Sequence, residues 1–537
     1  MAIPSAVLAA GWIPFVVVIV LTLLFSAIYI RYYMSKYDSE LSTTLATIFA
    51  LTITLLTSAI VPVDIFLVSY MKTSDGTFKD WANNSASRES IEQSVLYGYY
   101  TLYALVTFCL FILLPFFYFF YEEKDEGSPA SCKSRCCTAL KYLIVFILVV
   151  AALMLIGAFV PTKGAPNANS TEWKQIEALF KDLASNGMED SLSFVISVLS
   201  LLGMMAFIMY TAYGMSAMPI DLIKGRLSAR KEKMEVRGQR EERVERAGRR
   251  QAIKDKYSSR KRFGNRDQQN TDEQDRLMER QLRHLEANDR SCIRKCLLVL
   301  RPFEMLFGFL FLLVALLIFI SLLLTNIDKA MHSKGYKIGY ALAQRKLPNP
   351  IDIVLVFCQM VFPLDYILMS GIIMYFVFCS MSGIRNIGVW FLWIRMYKIR
   401  PRRTRPQGLL MLCMILMFIV LAINIIVYEL TPQYSTFGSQ KYGNMTGASN
   451  TTSVPLHQCT TEVAEDCVVT RMALLLTRFF YKMWFFGAAY YWGTWVFLGI
   501  YVLGFIIAVI KKRKSSIDGE IDEDDFDESD DEDLLRG

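Results

Sequence analysis

Histidine is scarce: the 537 residues hold three, His284, His332 and His457, far apart, and no Cys-x-x-Cys pair. That scarcity excludes a His-rich or Cys-paired metal centre, because such sites need ligands at short, fixed spacings. Also missing are a Walker phosphate loop, a glycine-rich dinucleotide turn, His-Glu-x-x-His and Gly-x-Ser-x-Gly. Without them there is no nucleotide cradle, zinc-protease helix or activated serine, so neither an enzyme nor an intrinsic cofactor is expected. No basic stretch precedes the first apolar run; its cations, Arg31 and Lys36, follow it. That order keeps the segment as an anchor with an outward amino terminus rather than a cleaved leader. The short alternating segments of a transmembrane β-barrel are lacking too.

What the chain has is apolar length. Of its residues 54% are hydrophobic and 13% aromatic, gathered in blocks rather than dispersed. Blocks of 18 or more apolar residues can cross a bilayer core of about 30 Å, and a helix satisfies its own backbone there. The expected fold is therefore an all-α polytopic bundle of about nine spans. They fall near Val7–Ile30, Leu45–Val68, Val95–Tyr121, Tyr142–Val160, Leu192–Tyr213, Phe303–Thr325, Ile353–Cys379, Leu409–Tyr428 and Trp484–Ile510. This divides the chain into spans 1–5 (1–220), a basic charged loop (221–301), spans 6–9 (302–510) and an acidic tail (511–537).

Sidedness is readable in two ways. The Asn-x-Ser/Thr acceptors Asn83, Asn169, Asn444 and Asn450 all follow even-numbered spans. The basic clusters Arg31/Lys36, Lys133/Arg135/Lys141, Lys224 to Arg301, Arg385 to Arg405 and Lys511 to Lys514 follow odd-numbered ones. Glycan acceptors belong outside the cytosol and Lys/Arg inside it, which predicts a lumenal amino terminus and a cytosolic carboxyl terminus. The segment Asn326–Asn349 runs against this, being basic yet assigned to the lumen.

Two acids stand inside apolar runs, Asp64 after Pro62-Val63 and Asp365 after Pro363-Leu364. An intramembrane carboxylate marks a pathway by default. Alternatively, proline frees backbone donors at a kink or restart, and a nearby Asp accepts from them. Both readings stand at this point. Cys459 and Cys467, in a polar loop carrying the last two sequons, are expected to form a disulfide. Cys132, Cys136, Cys137, Cys292 and Cys296 sit in basic juxtamembrane segments, a placement that suits palmitoylation or plain buried thiols. The segment 221–301 reads as solvated helices with many i,i+4 ion pairs, or as a docking surface for a partner or anionic lipid. Nucleic acid is not expected there, since aromatics are not interleaved with the charge. The tail ends Asp530-Asp-Glu-Asp-Leu534-Leu535, which resembles an acidic dileucine signal read by clathrin adaptors and points to endosomal or lysosomal membranes.

Several longer strings carry more information. Pro62-Val-Asp-Ile-Phe-Leu-Val-Ser-Tyr-Met-Lys72, Gly76-Thr-Phe-Lys-Asp-Trp81 and Leu96-Tyr-Gly-Tyr-Tyr-Thr-Leu-Tyr103 resemble the limb-region, lipocalin-interacting membrane receptor family. So do Thr211-Ala-Tyr-Gly-Met-Ser216, Phe362-Pro-Leu-Asp-Tyr-Ile-Leu368, Gly383-Ile-Arg-Asn-Ile-Gly388 and Trp393-Ile-Arg-Met-Tyr-Lys-Ile-Arg400 with Arg403-Thr-Arg-Pro-Gln407. The resemblance implies a lysosomal membrane protein needed for cobalamin (vitamin B12) to reach the cytosol. It would escort an ABC transporter of the peroxisomal-type subfamily, with cobalamin as cargo rather than cofactor. The family is also linked to lipocalin uptake and clathrin-mediated internalisation at the plasma membrane. Three functions follow as expectations: an escort, a permease using Asp64 and Asp365, or a surface receptor whose ligand face is the Tyr434–Leu476 loop. A monomer and a homodimer are both consistent with the sequence.

Overall fold

A computed structural model of the chain describes residues 5–35, 40–73, 76–80, 82–125, 132–159, 194–224, 292–333, 335–336, 340, 346–359, 361, 363–391, 394–401, 404–443, 456–459, 467–482 and 484–510. Among the described residues, nine helices are long and apolar enough to cross a bilayer. They are α1 (Ser5–Tyr33), α2 (Leu41–Tyr70), α3 (Ser85–Phe108) continued through a π turn at Cys109–Leu113 into α4 (Leu114–Asp125), and α5 (Cys132–Phe159). Then come α6 (Phe194–Lys224), α7 (Cys292–His332), the short α8 (Pro350–Cys358), and α9 (Leu364–Ile387). A two-stranded hairpin, β1 (Val389–Phe391) and β2 (Ile394–Tyr397), leads into α10 (Pro406–Leu430) and the one-turn α11 (Pro432–Phe437). A second small ladder, β3 (Lys441–Gly443) with β4 (Leu456–Gln458), precedes α12 (Arg471–Lys482) and α13 (Trp484–Ile510).

Local chemistry sets the ends. The Asn84 side chain accepts from the Ala86 N–H at 3.1 Å to start α3, and Asn349 accepts from Ile351 N–H at 3.1 Å to start α8. Pro350 and Pro406 occupy the first turns of α8 and α10, where a missing N–H leaves nothing unbonded. In α2 the hydroxyls of Thr47, Thr54 and Thr57 donate to carbonyls four residues back, so these three buried side chains are satisfied within the helix.

One sequence boundary is corrected. The seventh span, expected as one helix over Ile353–Cys379, is two: α8 stops at Cys358 and α9 restarts at Leu364 with Pro363 as its cap residue. The proline ring and its missing N–H break the ladder there. By contrast Pro62 lies inside an unbroken α2, so the shared Pro-x-Asp spacing does not give a shared geometry. The charged segment 221–301, expected as solvated helices, is described only at its edges, where 221–224 end α6 and 292–301 belong to the start of α7.

The chain forms two compact units, 1–215 with 316–504, and 216–315 with 505–537. In the first, α2 and α10 lie at the centre. Asn424 Nδ2 on α10 donates to Thr57 O at 3.3 Å and Cys413 Sγ to Thr47 O at 3.7 Å. The π turn of α6 (Phe207–Thr211) brings Thr211 within 2.7 Å of the Ser380 hydroxyl on α9. Gly214 and Gly383 make that approach close enough for backbone contact. A Cβ on Gly214 would lie 1.9 Å from Cys379 O, and one on Gly383 2.0 Å from Tyr210 O. In the second unit, Lys224 Nζ donates to the Ala508 and Val509 carbonyls at 2.8 Å, placing a cation on the C-terminal carbonyls of α13.

Candidate functional site

At one end of the first unit the segment 432–476 is held down by both intramembrane acids. Asp64, 1% exposed near the end of α2, accepts the Met472 N–H at 2.9 Å and the Tyr99 hydroxyl at 3.3 Å. Met472 is the second residue of α12, so a carboxylate from a helix 408 positions away sits on its N-terminal donors. A negative charge there meets both the free N–H groups and the positive end of the helix dipole. Thr470 completes the cap. Its Oγ1 accepts from Ala473 N–H at 3.3 Å and donates to Ser435 O at 2.6 Å, while Arg471 pairs with Glu92 of α3.

Asp365, 3% exposed, lies in the first turn of α9 and accepts the Tyr434 hydroxyl at 2.9 Å. Burial pushes the Tyr434 phenol well above its ordinary range, so it is a donor at any physiological pH. Each acid is thus satisfied by donors of the segment 432–476, and each also sits at a helix start. Asp64 thus caps α12 rather than donors freed by Pro62, and Asp365 holds a tyrosine hydroxyl from the first turn of α9.

The same segment is closed on itself. Cys459 and Cys467 are disulfide-bonded, with Cα atoms 6.2 Å apart, and both pack against Phe437. Gln440 uses both ends of its amide: Nε2 donates to Phe437 O and Val468 O at 2.7 Å, and Oε1 accepts from Val468 N–H at 3.0 Å. Gly438, at φ +61°, turns the chain over Ser69, and a Cβ there would fall 2.0 Å from Ser69 Oγ. Beneath it a cavity of about 10 Å³, lined by Asp352, Gln359, Gln433, Tyr434 and Gln440, has room for one water and none for a cargo molecule.

A second polar cluster, which sequence reading missed, joins α7, α8, α10 and α13. Lys329 Nζ pairs with Glu429 Oε1 at 2.6 Å, and Glu429 Oε2 also accepts from Thr494 at 3.5 Å. Asp328 accepts from the Lys346 N–H at 3.1 Å and lies 2.8 Å from His332 Nδ1. Asn349 bonds Ser321 and the Leu430 carbonyl. Lys329 had counted against the sidedness pattern; its charge is answered by Glu429. The signal available beforehand was Glu429 itself, an acid at the end of an otherwise uncharged run from Gly408.

Of the predicted glycan acceptors, Asn83 is exposed just before α3. Asn169, Asn444 and Asn450, and the tail residues Asp530, Leu534 and Leu535, lie outside the described residues. Cys136 is half-buried and Cys137 exposed on α5. No group of three or more His, Cys, Asp or Glu able to hold a metal occurs among the described residues.

The model of the LMBR1-like membrane proteins matches residues 11–298. The chain belongs to the LMBR1-like membrane protein family. Full-length relatives extend the match. The chain is 48% identical over 547 residues to a "Probable lysosomal cobalamin transporter" of Nematostella vectensis, covering 98% of this chain and 99% of that one. It is 47% identical to the "Lysosomal cobalamin transport escort protein LMBD1" of Danio rerio, covering 99% of both. To the human protein of that name it is 49% identical, over 98% of each. No solved structure matches the chain. The LMBR1-like assignment and the nine helices agree in making this a polytopic helical membrane protein.

Proposed function

We propose that this LMBR1-like protein is a lysosomal membrane escort needed for cobalamin to pass from lysosome to cytosol. The observation that carries this reading is the near-full-length similarity to proteins named for that escort role. In the proposed arrangement an ABC transporter of the peroxisomal-type subfamily performs the ATP-driven step, since no Walker motif occurs in the 537 residues. The disulfide-closed segment and the glycans on Asn83, Asn169, Asn444 and Asn450 face the lumen. The carboxyl tail faces the cytosol, where Asp530, Leu534 and Leu535 recruit a clathrin adaptor for sorting.

The hydrogen bonding of Asp64 and Asp365 favours the escort over a permease, because both carboxylates hold backbone or tyrosine donors of the segment that follows α10. The test is the distribution of labelled cobalamin between lysosome and cytosol in cells lacking this chain. Trapped lysosomal cobalamin, released by the wild-type chain and by Asp365→Asn alike, is the expected result. Release by wild type but not by a normally folded and sorted Asp365→Asn would turn the reading to a permease. A normal distribution in the deficient cells would end it.

A further inference from the structure

The end of the first unit opposite the disulfide carries a feature that the escort reading leaves unused. Between Arg385 and Arg405 the chain has seven cations (Arg385, Arg395, Lys398, Arg400, Arg402, Arg403 and Arg405) and no acid. A basic juxtamembrane stretch is common on a cytosolic face and needs no ligand. The described part of this one, 385–391, 394–401 and 404–405, differs in being tied to neighbouring helices.

Gly388, at φ +87°, ends α9 and turns the chain into the β1–β2 hairpin. The hairpin is tied down on several sides. Trp390 N–H donates to the Tyr210 hydroxyl of α6 at 3.2 Å, and Tyr397 and Tyr118 of α4 share a hydroxyl contact at 3.2 Å. Behind it, Thr404 bridges to the end of α1. Its N–H donates to Tyr33 O at 3.1 Å, and Ser35 N–H donates to Thr404 O at 3.0 Å. Thr404 Oγ1 also closes the Arg400 turn, accepting from Arg400 N–H at 2.9 Å and donating to Arg400 O at 2.6 Å.

On this frame two large apolar side chains, Trp390 and Met396, stand about 40% exposed, and Arg385, Lys398 and Arg405 are exposed beside them. The indole is oriented by its own Nε1–H, which donates to Ile387 O at 3.2 Å. Glu122 at the end of α4 faces this region and accepts from Gln407 Nε2 at 3.4 Å. An exposed Trp and Met between membrane helices, on a segment with exposed cations, match the two halves of a phospholipid surface, acyl boundary below and phosphate above.

We propose that Arg385, Lys398 and Arg405, with Trp390 and Met396 of the β1–β2 hairpin, form a seat for anionic phospholipid headgroups of the adjoining leaflet. The ligand is the phosphate and its negative headgroup on a lipid, not free phosphate. The seat would hold the bundle in register with an anionic leaflet and select the lipids around α1, α4, α9 and α10.

The test reconstitutes the full chain in nanodiscs of phosphatidylcholine with or without phosphatidylserine, then measures which lipids stay bound on gentle detergent extraction by native mass spectrometry. Wild type is expected to retain phosphatidylserine above its share of the mixture. Neutralising Arg385, Lys398 and Arg405 to Gln should lower that preference about fivefold per cation. The charge-preserving set Lys398→Arg with Arg405→Lys should restore it, which separates lipid selection from a folding defect. Retention at the bulk lipid ratio, or a preference unchanged in the Gln variant, would overturn the proposal. So would displacement of bound lipid by soluble glycerophosphoserine, which would make the site one for free phosphate.

Discussion

The central helices and the peripheral ones solve different problems. In the most apolar 18-residue stretches of α2 and α10, 72% and 78% of the residues are buried, whereas in those of α5 and α1 the shares are 11% and 17%. The inner pair is rich in polar side chains: Thr43, Thr47, Thr54, Thr57, Ser58 and Asp64 on α2, Asn424 and Glu429 on α10, all buried. The outer face of α5 is Ile144, Val145, Ile147, Leu148, Val149, Leu155 and Ile156, all well exposed. Lipid tails are as apolar as leucine, so burying aliphatic surface between two helices in a bilayer gains little. Specific association there depends on close backbone approach and interhelical hydrogen bonds. Polar and small residues therefore gather where helices meet each other, and undifferentiated aliphatics where they meet lipid.

The sharpest test of that contrast is at the α6–α9 contact. Gly383→Val would place a branched side chain on the Tyr210 carbonyl, which cannot yield without separating the helices. The expected loss exceeds about 4 kcal/mol, seen as absence of a monodisperse species on size-exclusion chromatography. Next in size is Lys329→Met, which leaves Glu429 buried beside Thr494 without its cation. A loss of about 3 kcal/mol is expected in detergent thermal unfolding, and Lys329→Met with Glu429→Gln should recover most of it. Equal loss in single and double variants would show the pair to be incidental.

Removing the disulfide with Cys459→Ser and Cys467→Ser should cost about 2.5 kcal/mol, the chain-entropy value for so short a loop, and proteolysis between the two positions should rise. Asp64→Asn keeps an acceptor for Met472 N–H but loses the charge on the α12 dipole, for about 1 kcal/mol by the same melt. At the far end of the scale, Leu148→Ala on the lipid face of α5 should move stability by less than about 0.5 kcal/mol. A larger effect would mean that α5 meets protein rather than lipid along that face.

Much of the architecture was legible because one physical variable, the length of an apolar run, dictates it. The nine crossings were found that way, with ends displaced by several residues at α6 and α7, where the helices continue into charged sequence. The break between α8 and α9 was signalled by Pro363 but masked by the apolarity of the residues on both sides. What a single sequence does not contain is who meets whom. That Asp64 accepts from Met472, that Lys329 answers Glu429, and that Gly214 lies against Cys379 are tertiary facts, with no trace in local spacing. The two acids were visible as anomalies, and a cap was among their candidate roles. Only the fold supplies the donors.

The 408-residue separation between Asp64 and Met472 also has a consequence in time. A ribosome adding roughly 5–20 residues per second delivers Met472 some 20–80 s after Asp64 has left the tunnel. Throughout that interval α2 is complete and the Tyr99 hydroxyl, 35 residues on, is the first of its donors to arrive. The newborn half-bundle therefore waits with a carboxylate short of a partner, and α12 closes it as one of the last acts of synthesis. Assembly order is thus written into the placement of one cap: the earliest helices stay provisional until the penultimate one is made.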